Sequence, residues 1–207
     1  PRLDDAVAAR LRALPGVRAV HPRMKAAFPM RGWGGESILG RPLYTELIVD
    51  GVDPGAVTED TGPLPFADHA GKPGTFCTED KNCPAPAYCA WDVNRCELPV
   101  PVVVSPMLLE LYNGTVARLH NLPKLKPGGV LTSFLRGLVV TAELGRSFVA
   151  RDRQAGTARQ RRLMLVGVSD RAMPVGATVP LPYVQRWNAE YAGAAAAREY
   201  SSLSVEL

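Results

Sequence analysis

The feature that most limits what this chain can be is the stretch CTEDKNCPAPAYCAWDVNRC, residues 77–96, which holds all four of its cysteines. The spacing is C-x5-C-x5-C-x6-C. Structural zinc sites pair their ligands as C-x2-4-C, because a tight knuckle aims two thiolates at one ion, and that pairing is absent here. So is a redox C-x-x-C. Glu79, Asp80, Asn82, Asp92 and Asn94 offer oxygens for calcium, but the D-x-[DN]-x-[DN]-G pattern is missing, and a solvated acidic loop is the simpler reading. The residues between the cysteines are mainly small or polar, with Tyr88 and Trp91 as exceptions. Such a loop buries little apolar surface and needs covalent help to hold a shape. Two disulfides among Cys77, Cys83, Cys89 and Cys96 are therefore expected. Four cysteines allow three pairings. Cys77–Cys89 with Cys83–Cys96 is preferred, because interleaved bridges pin a compact loop better than two adjacent rings, while the other two stay open. Disulfides imply an oxidising compartment outside the cytoplasm.

The 207 residues are enough for one ordinary domain or two small subdomains. Hydrophobic residues at 46% against 21% charged place the chain among globular proteins. The net charge of +4 is mild and mostly scattered, which gives no footprint for a nucleic-acid partner. The polar start carries no signal-peptide pattern. The longest uncharged stretches, 98–109 and 172–185, are broken by proline and fall short of the roughly 20 apolar residues of a spanning helix. The polypeptide is expected to be soluble as it stands, including as a piece of a membrane protein.

Residues 3–15, LDDAVAARLRALP, read as an amphipathic helix stopped by Pro15-Gly16. Val17 to Val20 reads as a short strand, Gly32 to Gly35 as a turn around Trp33, and 43–52 as one strand ending at Asp53-Pro54-Gly55. Residues 58–98 read as an irregular excursion whose composition argues against strands. Val102 to Val104 is a buried β run, with Ser105 and Pro106 opening a helix that continues to about His120. Residues 122–135 are a connection, and strands follow near 136–144 and 161–169. Between them, residues 151–162 read as an exposed hairpin tip. A helix at 183–193 and a last strand at 201–207 complete the pattern, which is α+β.

No catalytic constellation emerges. Ser105 follows a strand and precedes a helix, but V-V-S-P-M lacks the glycines of a nucleophile elbow, so a helix cap is the better reading. His21, His69 and His120 are isolated, without metal spacing. Neither a phosphate-binding loop nor a dinucleotide fingerprint occurs, so no cofactor is expected. Glu59 and Asp60 lie in a loop and read as solvated. The one basic concentration is Arg151, Arg153, Arg159, Arg161 and Arg162. It reads either as a contact for anionic headgroups or an acidic partner, or as a hairpin tip kept from aggregating by charge.

Four stretches in order carry a family resemblance: LRALPGVRAVHPR (11–23), ELIVDGVDP (46–54), PVPVVVSPMLLELYN (99–113) and LMLVGVSDRAMPVGATVPLPYVQRWN (163–188). Together they resemble the extracytoplasmic domain of MacB/FtsX/LolC-type ABC transporter permeases. The resemblance implies an inner-membrane protein whose domain faces the periplasm, with a mixed α/β porter-like part (1–57 and 163–207) and an inserted, mostly β sabre-like part (58–162) that includes the cysteine loop. It implies a second permease copy and a cytoplasmic ATPase as partners through membrane helices. It also implies a periplasmic adaptor, lipoprotein or peptide acted on mechanically rather than chemically. Asn113-Gly114-Thr115 fits a glycosylation sequon, discounted for a bacterial domain with a helix there. The cysteine loop is not part of the family pattern. The family also places a strand before the first helix and a helix and strand after SLSVEL. The alternatives are a free-standing secreted binding module and, less favoured, a hydrolase using Ser105.

Overall fold

Valine-rich runs of the sequence converge on the middle of one mixed sheet, as apolar runs covered on both faces do. The computed structural model describes residues 2–36, 41–57, 64–71, 74–119, 124, 137–150 and 154–207. Its strands are β1 (Ala19–Lys25), β2 (Met30–Gly34), β3 (Leu43–Glu46), β4 (Val49–Val52), β5 (Tyr88–Ala90), β6 (Arg95–Glu97), β7 (Val100–Val104), β8 (Val139–Leu144), β9 (Arg159–Val168), β10 (Ala177–Pro180) and β11 (Ser202–Glu206). Its α-helices are α1 (Asp5–Arg12), α2 (Pro106–Leu111), α3 (Ala117–Leu119) and α4 (Leu181–Tyr191). Among the described residues, nine strands form one sheet in the order β11-β1-β4-β10-β7-β9-β8-β2-β3, and β5 and β6 form a separate hairpin. The architecture is α+β.

The strand VPVVV (β7) is buried at all five positions and pairs parallel to β9 and antiparallel to β10. Strands on both sides of the boundaries at 57/58 and 162/163 interleave in this sheet, with β7 between β10 and β9. One face carries Met24, Val102, Leu144 and Leu163 under α4, which buries Leu181, Tyr183, Val184, Trp187 and Tyr191. Each such apolar side chain contributes roughly 1.5–3 kcal/mol on burial. The opposite face packs Val103, Met164 and Val166 against Leu64 and Phe66.

Two buried polar groups tie these elements. Asn188 on α4, 1% exposed, accepts from Ala27 N–H at 2.9 Å and donates to Lys25 C=O at 2.9 Å. Asp50 on β4, 2% exposed, takes Arg23 as its ion partner and the Thr178 hydroxyl at 2.6 Å. Buried donors and acceptors without such partners would cost about 1–3 kcal/mol each.

Several expected elements take a different form. Residues 32–35 do not turn: Gly32, Trp33 and Gly34 lie inside β2, paired to β3 and β8. A Cβ at Gly32 would come within 2.5 Å of Leu47 Cδ1, so glycine here serves close packing on the sheet rather than a bend. The run 43–52 is two strands, because the chain leaves the β2 edge after Glu46 and β4 enters the sheet between β1 and β10. The excursion 58–98 contains the β5–β6 hairpin, turned through Asn94 at φ +51°, a conformation asparagine tolerates. The helix after Ser105 holds to Leu119 but passes through a π-helical turn at Tyr112–Val116. The connection 122–135 and His120 lie outside the described residues, apart from Lys124.

Candidate interaction surface

The cysteine loop is a covalent module. Cys77 bonds Cys89 and Cys83 bonds Cys96, the interleaved pairing. The ring separations of 12 and 13 residues correspond to roughly 3 kcal/mol each on the chain-entropy account. Inside the module, Asn82 Oδ1 accepts from Thr78 N–H at 3.1 Å and Glu79 N–H at 3.2 Å. The segment before Cys77 pairs against β6 through Cys96 N–H to Thr75 C=O at 2.9 Å. Gly74 sits so close to the Cys96 carbonyl that any side chain there would overlap it. The sulfurs of Cys77, Cys83 and Cys96 lie within 4.8 Å of one another, a metal-like spacing. Their valence is taken up by the two disulfides, and metals bind thiolates.

The module is fixed to the sheet where β9 runs past the start of β7. Pairing of β7 with β9 begins at Leu163, so residues 159–162 of β9 have β8 on one side and no β7 on the other. The hairpin fills that side. The Tyr88 hydroxyl accepts from Arg162 N–H at 3.3 Å, and the Arg162 guanidinium lies 4.7 Å from the Tyr88 ring centre. Arg162 also pairs with Asp80, and Arg161 with Asp92 at 3.0 Å and Glu97 at 3.7 Å. Burial pushes the Tyr88 hydroxyl pKa up. Burial opposes the charge on Arg161, but Glu97 and Asp92 outweigh it and raise its pKa. Partial burial would raise the Asp80 carboxyl, yet the Arg162 and Cys89 N–H hydrogen bonds hold it below 3.8.

This placement changes the reading of the arginines. Arg159, Arg161 and Arg162 belong to β9, not to a hairpin tip, and each has an internal carboxylate: Glu190 at 3.3 Å for Arg159, and the module's acids for the other two. These three ion pairs join β9 to α4 and to the cysteine module. Arg151 and Arg153 lie outside the described residues. Ser105, 5% exposed, caps α2: its Oγ accepts from Leu108 N–H at 3.1 Å and donates to Pro174 C=O at 2.6 Å. Among the described residues, no hydrogen bond joins it to a histidine or a carboxylate. His21 sits between Asp53 at 3.5 Å and Glu206 at 3.4 Å, and His69 is engaged with the Pro65 carbonyl. Sequence spacing indicates the disulfides. It gives no signal for Asp80, Tyr88, Asp92 and Glu97 as docking groups, because their partners lie far along the chain.

A second surface is apolar. Between α2 and the sheet run two adjoining cavities of about 310 and 400 Å3, sharing Leu47, Val104, Leu108, Leu138, Val140 and Leu165. Leu43, Ile48 and Leu111 on the rim are about half exposed, at 50%, 58% and 47%. No described helix is long and apolar enough to cross a membrane.

No protein-family model matches the chain, and no curated protein matches it. Among solved structures it is similar to the extracellular domain of the noncanonic ABC-type transporter YknZ from Gram-positive bacteria, with 14% identity and a TM-score of 0.40, covering 99% of this chain and 73% of that one. A likeness this distant fixes neither fold nor function.

Proposed function

We propose that this chain is a non-catalytic extracytoplasmic domain of an ABC transporter permease of the MacB/FtsX/LolC type, facing the periplasm from the inner membrane. The observation that carries the reading is the pair of interleaved disulfides clamped onto the central sheet, in a chain whose ordered motifs resemble that family. Cross-linked rigidity suits a part that transmits movement in an oxidising compartment. In this reading 1–57 and 163–207 form the porter-like part and 58–162 the sabre-like part, coupled through one sheet. ATP-driven motion reaches the domain from a cytoplasmic ATPase and a second permease copy. It is delivered to a lipoprotein, a peptide or a periplasmic adaptor. Ser105 supports the non-enzymatic assignment, since its hydroxyl is spent on a cap and on the Pro174 carbonyl.

The test is purification of the chromosomally tagged protein in mild detergent. The expected product is a polypeptide larger than this chain's 22.3 kDa that brings an ATPase subunit with it. A tagged product that needs no detergent and brings no ATPase would favour the second reading, a free-standing secreted binding module. The apolar cavities beside α2 are the observation in that reading's favour.

A further inference from the structure

The strand β3 is an outer edge of the nine-stranded sheet, and its register decides which backbone groups it leaves open. Leu47 N–H donates to Met30 C=O at 2.9 Å, so Met30 and Leu47 form a hydrogen-bonded pair. In an antiparallel ladder such pairs alternate with pairs whose polar groups point away. The register Arg31 to Glu46, Gly32 to Thr45, Trp33 to Tyr44 and Gly34 to Leu43 therefore turns Leu43 and Thr45 toward β2. It turns the N–H and C=O groups of Tyr44 and Glu46 outward. The far side of β2 agrees. Gly145 N–H donates to Pro29 C=O at 2.9 Å, which by the same alternation commits Arg31 and Trp33 to β8 and leaves Gly32 to β3.

Among the described residues, no hydrogen bond ends on the Tyr44 N–H, the Tyr44 C=O or the Glu46 N–H, and the Glu46 C=O receives only the neighbouring Thr45 hydroxyl at 3.1 Å. Open edges are normally guarded by lysines, prolines, bulges, inward charges or extreme shortness; β3 is short, at four residues, but carries none of the others within its span. Within β3 the one charge, Glu46, is occupied: its carboxylate accepts from Phe148 and Val149 N–H groups. Tyr44 is 62% exposed and Leu43 50%. The two faces of the strand differ. Leu43, Thr45 and Leu47 face the apolar cavities, while Tyr44 packs edge-on against Phe148 at 5.9 Å.

We propose that β3 receives an extended segment of a partner polypeptide as an additional strand, with apolar side chains at alternate positions entering the adjoining cavities beside Leu43 and Ile48. The occupant is a strand because, of the possible polypeptide ligands, an extended backbone is the one whose own N–H and C=O groups match the open groups of Tyr44 and Glu46 in spacing and direction. A helix keeps its own backbone bonded, and an acyl chain has no such groups. The inference does not depend on the transporter reading.

The probe is a linear twelve-residue random peptide library displayed on phage and selected against the full chain. Recovered sequences should alternate apolar with polar residues. The synthetic form of one should slow hydrogen exchange at the Tyr44 and Glu46 amides about tenfold, with the Leu43 and Thr45 amides already protected in the free protein. Tyr44→Pro removes an outward N–H without touching the β2 pairing and should weaken binding about tenfold, whereas Tyr44→Phe should bind like the parent. Failure to recover alternating sequences overturns the proposal. So does protection confined to other strands, or a Tyr44-dependent dimer of the chain without peptide. The exchange measurement on the unaltered protein decides the matter if Tyr44→Pro does not fold.

Discussion

Asp80 shows how single residues set the strength of the module's grip. Its carboxyl is held below the usual 3.8 although burial works the other way, because Arg162 and the Cys89 N–H bind the charged form. A depressed folded value means the contribution is complete above the unfolded carboxylate pKa of about 3.9 and fades as pH falls through the lower folded value. With the pair partly exposed and screened, it is worth less than about 1 kcal/mol. Thermal unfolding of the parent should therefore lose more Tm between about pH 5 and about pH 2.5 than that of Asp80→Asn, with the curves converging at the acid end. Parallel curves across that range would show that Asp80 contributes nothing to docking.

At the level of elements, the cysteine spacing, the VPVVV run and the Ser105-Pro106 helix start could be read directly, because each is a local signal acting on its own neighbours. The glycines of β2 could not. Gly32 suggests a turn until the Leu47 side chain, fifteen residues on, is seen to occupy the space a Cβ would need. Gly32→Val should cost about 2 kcal/mol or more through overpacking, read as a lower urea midpoint. An unchanged midpoint would show that Leu47 moves aside freely. The partners of the arginines are hidden from the sequence for a similar reason. Charge density predicts a solvated tip, whereas Arg161 meets Asp92 across a sequence separation of 69 and Arg162 meets Asp80 across one of 82. The module's own stability is a separate quantity. Replacing Cys83 and Cys96 together by serine should lower stability by about 3 kcal/mol while the nine-stranded core still folds cooperatively. Loss of all cooperative unfolding in that variant would mean the core cannot stand without the bridge.

Across the whole molecule, one sheet joins the segments on both sides of the excursion, and the cross-linked module is bonded to that sheet by Arg161, Arg162 and Tyr88. The account rests on the sheet and its module being tethered to a membrane and working outside the cytoplasm. Intact cells stripped of their outer barrier, treated with protease and fractionated, test it most directly. The account predicts that an antibody to this chain detects a membrane-bound polypeptide, larger than 22.3 kDa, that external protease removes and that carries no alkylatable cysteine in residues 77–96 before reduction. A protease-protected cytoplasmic polypeptide with free thiols at Cys77, Cys83, Cys89 and Cys96 would contradict it.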